Sequence, residues 1–160
     1  MGNCVGVKCK CRNESLYLGS GFSYSDIYEK ASRDIKDGLY GEEMKRLMKE
    51  VKLATIDANY RAYRCEDCGY IDALVCCDLY KPNNIEVDRD IFDLCCENYG
   101  DYVLLKECKH FCPSCGKVLT KLDEEKIRKM VCPKCGEKYG NYTFLLRDGE
   151  EAEDLCGVWD

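Results

Sequence analysis

Histidine occurs once in these 160 residues, at His110. A single imidazole leaves the chain without the usual material of acid/base and nucleophilic relays, so composition points away from an enzyme. Long apolar runs are missing as well. No stretch approaches the ~18 apolar residues that span a bilayer, and no basic-plus-apolar leader opens the chain. The expectation is a cytoplasmic protein with no membrane partner. The start Met1-Gly2-Asn3-Cys4 carries Gly6 where a myristoylation motif wants Ser or Thr. A basic stripe with interleaved aromatics is also lacking. Lys and Arg number 24 against 30 Asp and Glu, a formal charge of −6, and such a field repels phosphate backbones. The balance reverses locally: residues 106–134 hold eight Lys or Arg and four acids, whereas everything after Arg147 is acidic or neutral.

Cysteine is what the chain has in excess, with fifteen. The odd count, the missing leader and the C-x-x-C-G form of the motifs favour metal ligation in a reducing compartment over a disulfide scaffold. Eight cysteines show ligand spacing. Taken in chain order they form two sets, Cys9, Cys11, Cys65 and Cys68, then Cys112, Cys115, Cys132 and Cys135. In the second set Cys112-Pro113-Ser114-Cys115-Gly116 and Cys132-Pro133-Lys134-Cys135-Gly136 are knuckles, tight turns in which two thiolates grip one ion and glycine supplies the positive φ. Zn²⁺ takes four such sulfurs in a tetrahedron. Two filled Cys4 sites leave no position for an activated water, so the expected ions are structural. They also deepen the negative charge by about −4, eight thiolates against two divalent ions. In a competing arrangement Cys65 and Cys68 pair with one of the later knuckles.

The coarse pattern is α+β: two small zinc-ribbon β units, the first with a helical insertion at about residues 23–51. Ile27, Ala31 and Ile35 recur on one helical face between a Ser23 or Ser25 cap and a Gly38 stop, and Met44, Leu47, Met48 and Val51 form a second stripe. The first ribbon covers residues 1–82, including an apolar strand from Ile71 to Tyr80 that Pro82 ends. Residues 83–101 read as an acidic connector, with one or two helical turns near Ile91 to Cys95. The second ribbon covers 102–160: a strand at Tyr102 to Leu105, a helix from about Leu122 to Met130 capped by Thr120 with Asp123 three residues on, a strand at Tyr142 to Arg147, and an acidic tail whose Leu155 to Trp159 could pack back.

Outside the ligand sets stand His110, expected to take no part in metal binding, and seven cysteines: Cys4, Cys76, Cys77, Cys95, Cys96, Cys108 and Cys156. Neighbours in a strand face opposite ways, so one thiol of each vicinal pair is expected at the surface. Core packing is their ordinary role, with a third soft-metal site or a redox role as the alternative.

The two C-P-x-C-G-K/E knuckles make residues 102–147 resemble a zinc ribbon. With the other cysteines, Leu79-Tyr80-Lys81-Pro82, Leu105-Lys106-Glu107 and Trp159-Asp160, the whole chain is similar to small bacterial cytosolic proteins with two such ribbons. That resemblance implies the metal ligands and nothing further. Cys65-Glu66-Asp67-Cys68-Gly69-Tyr70 and Cys132-Pro133-Lys134-Cys135-Gly136 resemble the two knuckles of a rubredoxin, which would imply iron and electron transfer. Cys-x-Cys followed by Cys-x-x-Cys resembles the zinc centre of a redox-regulated chaperone.

These observations lead to one expectation: two zinc ions hold a surface that binds a macromolecule, a protein in preference to nucleic acid. The alternatives are a redox- or metal-responsive thiol protein, a rubredoxin-like electron carrier, and a nucleic-acid-binding ribbon acting through residues 106–134.

Overall fold

The structure, a computed structural model, describes residues 4–8, 11, 15–19, 24–84, 94, 99–132, 135–136, 141–145 and 151–152. It mixes helix and antiparallel sheet, as an α+β chain should. In chain order the elements are β1 (Cys4–Lys8), β2 (Ser15–Gly19), α1 (Tyr24–Lys36), α2 (Glu42–Glu50), β3 (Thr55–Ile56), β4 (Tyr60–Arg64), β5 (Ile71–Val75), β6 (Leu79–Pro82), a 3-10 turn (Tyr99–Asp101), β7 (Tyr102–Lys106), β8 (Thr120–Lys121), α3 (Glu124–Lys129), β9 (Asn141–Leu145) and β10 (Glu151–Ala152). Among the described residues, no helix is long and apolar enough to cross a membrane.

Two compact units share this chain, and they interleave in sequence. A helical unit comprises Met1–Asn3, Ser20–Tyr60 and Val75–His110; a cysteine unit comprises Cys4–Gly19, Arg61–Leu74 and Phe111–Asp160. The sequence reading divides the chain consecutively, at residues 82 and 102. The reason for the difference is strand pairing: β1, near the N-terminus, pairs with β9, near the C-terminus.

In the helical unit, α1 buries Tyr24, Ala31, Ser32 and Ile35 on one face. Gly38, at φ 88°, ends it. The Leu39 amide bonds the Asp34 carbonyl and the Gly38 amide bonds that of Ile35, the Schellman pattern that satisfies the last carbonyls of a helix. Met44 of α2 joins Ala31, Ile35, Ile56, Cys77, Leu79 and Cys108 in one core. Beside it runs a three-stranded sheet in the order β3-β6-β7. The expected strand at Tyr102 to Leu105 is β7, yet its partner is β6, so it belongs with the helices and not with a second ribbon.

The apolar run Ile71 to Tyr80 is two strands in different sheets, not one. Cys77 separates them, with φ 59°. A non-glycine residue in that region costs roughly 1–3 kcal/mol and persists only where its surroundings impose it. Here the Cys77 amide bonds the Asp57 carbonyl and the Asp57 amide bonds that of Asp78. Buried Asp57 also accepts bonds from the Asn59 backbone amide, the Asn59 side chain and the Tyr99 hydroxyl, and Asn59 reaches the Leu94 carbonyl. Leu94 is itself buried, so this part of the expected connector packs into the helical unit. The helical turns expected around Ile91 to Cys95 otherwise lie outside the described residues.

The cysteine unit is built on a seven-stranded antiparallel sheet, with path β10-β9-β1-β2-β4-β5 and β8 added to β4. Ala62 and Tyr63 are adjacent on β4 and therefore face opposite ways. Ala62 packs with Ile71, Leu122, Ile127, Met130 and Cys132; Tyr63 packs with Cys65, Cys112 and Leu119. One strand thus supports two small cores, each containing cysteine. The third helix begins later than expected, at Glu124, and its cap is Asp123, whose carboxylate accepts the Lys126 amide at 2.8 Å. Thr120 is excluded as the cap because its backbone pairs with Arg64. Within the tail, Glu151 and Ala152 pair with Leu145 and Phe144; Leu155 to Trp159 lie outside the described residues.

Candidate metal centre

Strand register brings the cysteines together, and in a different grouping from their order in the chain. The turn between β4 and β5 carries Cys65 and Cys68. Arg64, at the end of β4, pairs with Thr120, and Phe111 bridges to Val118 across the turn that carries Cys112 and Cys115. Two knuckles from distant parts of the chain thereby meet, and the sulfurs of Cys65, Cys68, Cys112 and Cys115 lie within 4.8 Å of one another. Elsewhere in the sheet, Lys8 of β1 pairs with Asn141 of β9. Cys11, Cys132 and Cys135 form a second cluster within the same limit.

The chain-order grouping is therefore corrected. Cys65 and Cys68 belong with Cys112 and Cys115, while Cys11 belongs with Cys132 and Cys135. Cys9, the remaining member of the expected ligand set, lies outside the described residues. The competing arrangement had the right partner for Cys65 and Cys68, and no knuckle is left unpaired because the N-terminal hairpin reaches the C-terminal strand. Spacing alone could not reveal this, since every knuckle is chemically able to pair with every other.

Each knuckle repeats one backbone device. The carbonyl of the first cysteine accepts the amide of the glycine four residues on: Gly69 to Cys65 at 3.0 Å, Gly116 to Cys112 at 2.8 Å, Gly136 to Cys132 at 2.8 Å. The glycines have φ of 72°, 73° and 71°, a left-handed turn that a Cβ would disfavour. In the two knuckles of the four-sulfur cluster, the first cysteine's own amide bonds back across the turn, Cys65 to Tyr70 at 2.8 Å and Cys112 to Lys117 at 2.7 Å. Backbone thus fixes both sulfurs of a turn without help from a large core.

Distances fit a tetrahedral thiolate site. The Cys65 and Cys115 sulfurs are 3.4 Å apart, those of Cys68 and Cys112 3.5 Å, and those of Cys11 and Cys132 3.3 Å. A Zn–S bond of about 2.3 Å places tetrahedral sulfurs roughly 3.8 Å apart, so a small relaxation admits an ion. Cys65, Cys112 and Cys132 are buried, whereas Cys68, Cys115, Cys11 and Cys135 are exposed. Each cluster therefore has one side against the core and one toward solvent, the access an entering ion needs.

Charge at the four-sulfur site is shared unequally. Burial opposes ionisation of Cys112, but amides of Cys115 and Ser114 and the thiols of Cys68 and Cys115 donate to it and bring its pKa down to about 7. Cys115 receives the Lys117 amide, which favours its thiolate, yet its bonds to neighbouring sulfurs and desolvation push it up to about 12. Cys68 is likewise raised, the donating Tyr70 amide being outweighed by Cys112 and desolvation. Without a cation, one thiolate forms readily and holds its neighbours protonated. A divalent ion reverses that by neutralising the group, and its binding must release protons. In the metal-bound protein the sulfurs are thiolates, far below the ordinary thiol pKa of about 8.5 in the unfolded chain. The stability contributed by metal is accordingly lost as pH falls. Metal affinity followed by competition with a chromophoric chelator should drop steadily as pH is lowered from about 8 to 6; a flat profile would contradict ligation by thiolates.

His110 takes no part in either cluster. Its Nε2 lies 3.3 Å from the Cys76 carbonyl and its ring meets Tyr40 edge-on. The vicinal thiols Cys76 and Cys77 are both buried, against the expectation that one would be exposed. The left-handed Cys77 explains this, because the alternation of a regular strand does not survive across it. Cys95, Cys96 and Cys156 lie outside the described residues. No family model matches this chain, and the search of curated proteins and that of solved structures found no match either.

Proposed function

We propose that the protein is a zinc-stapled binding module of the cytoplasm, in which two Cys4 zinc-ribbon centres hold a surface for a protein partner. The observation that carries this reading is the four-sulfur cluster of Cys65, Cys68, Cys112 and Cys115. Four protein sulfurs complete a tetrahedron and leave no coordination position for a substrate or an activated water, which favours a structural ion. In the second centre, Cys9 would be the fourth ligand beside Cys11, Cys132 and Cys135. Soft thiolate donors suit both zinc and iron, and the redox-inert zinc fits a purely structural role.

The partner surface is supported by side chains around the first centre. Phe111 and Val118 face each other across the knuckle turn and remain 61% and 51% exposed. Beside the second centre, Val131, next to Cys132, is also exposed. Apolar groups held out on a metal-fixed turn suit a protein contact, where aromatic anchors contribute most of the affinity. Nucleic acid is the second reading, favoured by a groove of about 400 Å³ lined by Arg64, Lys126 and Lys129 and one acid, Glu66, with Leu122, Met130 and Val131. Two of its cations are already engaged, Lys126 with Asp123 and Lys129 with Glu125, and this weakens the case for phosphate.

Anaerobic purification followed by elemental analysis and native mass spectrometry tests the reading directly. Two zinc ions per chain are expected; iron with visible colour would replace it with the electron-carrier alternative. For the partner, the double variant Phe111→Ser with Val118→Ser should keep both ions and lose crosslinked protein complexes formed by the unmodified chain. Steeply salt-dependent binding to a mixed-sequence oligonucleotide would move the assignment to nucleic acid.

A further inference from the structure

Cys77 and Cys108 belong to neither metal cluster. Leu79 of β6 pairs with Lys106 of β7, and Cys77 and Cys108 each lie two residues beyond that last pair and pack in the same core cluster. Both are buried in the core of the helical unit. Their backbones are held by one linked pair of aspartates: the Cys77 amide bonds the Asp57 carbonyl, and the Cys108 amide bonds the Asp78 carboxylate at 2.8 Å. The left-handed φ of Cys77 is part of the same arrangement. Strain of this kind in a non-glycine residue is a feature that clusters at functional positions.

The surroundings also distinguish the two sulfurs. The Cys108 thiol donates to Cys77 and, against the cost of burial, the Tyr40 hydroxyl adds a second donor, so the Cys77 pKa lies below its ordinary value although Asp57 and Asp78 act in the opposite sense. Cys108 is raised by that same bond and by burial. One sulfur is set up as the thiolate and its neighbour as the proton-bearing partner, the division of labour a two-step thiol oxidation requires.

We propose that Cys77 and Cys108 form a redox-active dithiol whose substrate is a small hydroperoxide. The Cys77 thiolate attacks the distal peroxide oxygen; an S–O bond forms, the O–O bond breaks, and the departing hydroxide or alkoxide takes a proton to leave as water or alcohol. Cys77 is then a sulfenic acid. Cys108 attacks its sulfur, an S–S bond forms, the S–O bond breaks, and the hydroxide leaves with the Cys108 proton as water. Two electrons pass from the thiols to the peroxide. Burial selects a small oxidant, because bulky alkylating reagents cannot reach a sulfur that solvent does not touch. The proposal is independent of which metal occupies the cysteine clusters.

The test uses the full-length, reduced, metal-loaded protein and one equivalent of hydrogen peroxide, followed by denaturing alkylation and peptide mass mapping. The expected product has lost two hydrogens, carries Cys77 linked to Cys108 as its dominant crosslink, and retains its metal. Cys108→Ser should abolish that crosslink and accumulate a dimedone adduct at Cys77. Cys76→Ser should leave the crosslink in place. Oxidation of the cluster cysteines with metal release before the crosslink appears, a Cys76–Cys77 link, or persistence of both thiols would each overturn the proposal, and the unmodified chain alone decides among them if a variant fails to fold.

Discussion

Stripping metal from the reduced protein should dissolve the seven-stranded sheet while leaving α1 and α2 folded. The cysteine unit draws on two cores of six and four buried residues, and β8 and β10 are two residues long. Such cores cannot offset the conformational entropy of fixing hairpins from three separate stretches of chain. A structural zinc ion contributes on the order of 10 kcal/mol or more, and that contribution is available only to the folded arrangement. The helical unit differs. Its core of Ala31, Ile35, Met44, Ile56, Cys77, Leu79 and Cys108 contains none of the eight candidate ligands. Amide hydrogen exchange before and after chelation is the measurement. Protection should collapse at β1, β2, β4 and β5, persist in α1 and α2, and return when stoichiometric zinc is added. A sheet that keeps its protection without metal would show that the sulfur clusters are ordinary core packing.

Local elements were legible in the sequence where one short-range signal settled them. Ile27, Ala31 and Ile35 with the Gly38 stop mark α1, and the C-x-x-C-G spacing marks the knuckles, because turn geometry requires glycine four residues after the first cysteine. The misread features depend on residues far apart in the chain. Thr120 is a fair cap by type, but Arg64, fifty-six positions earlier, uses its backbone in β8. The run from Ile71 to Tyr80 has strand composition throughout, and only the buried bonds of Asp57 and Asp78 around Cys77 reveal its break. The metal clusters follow the same rule. Which cysteines are ligand-like is a local property; which of them share an ion is set by β1 pairing with β9 and β4 with β8.

Grouping by strand register and grouping by chain order demand opposite outcomes from paired variants. Losing one thiolate opens a Cys4 site, and losing a second from the same site does little further harm, so variants within a site are strongly non-additive. Cys68→Ser combined with Cys115→Ser should therefore cost one ion and leave the second in place, since both sulfurs belong to one cluster. Cys68→Ser combined with Cys11→Ser should cost both, because those sulfurs serve different clusters. Grouping in chain order reverses the two results, as it places Cys11 with Cys68 and separates Cys68 from Cys115. Native mass spectrometry in the presence of a competing chelator counts the ions retained by each variant. One ion in the first pair and none in the second would establish that each centre joins an early segment of the chain to a late one. The metals would then do more than stiffen two hairpins: they would tie separate stretches of chain onto a common sheet, and a lesion at Cys11 would disable a site whose other described ligands, Cys132 and Cys135, lie more than a hundred residues away.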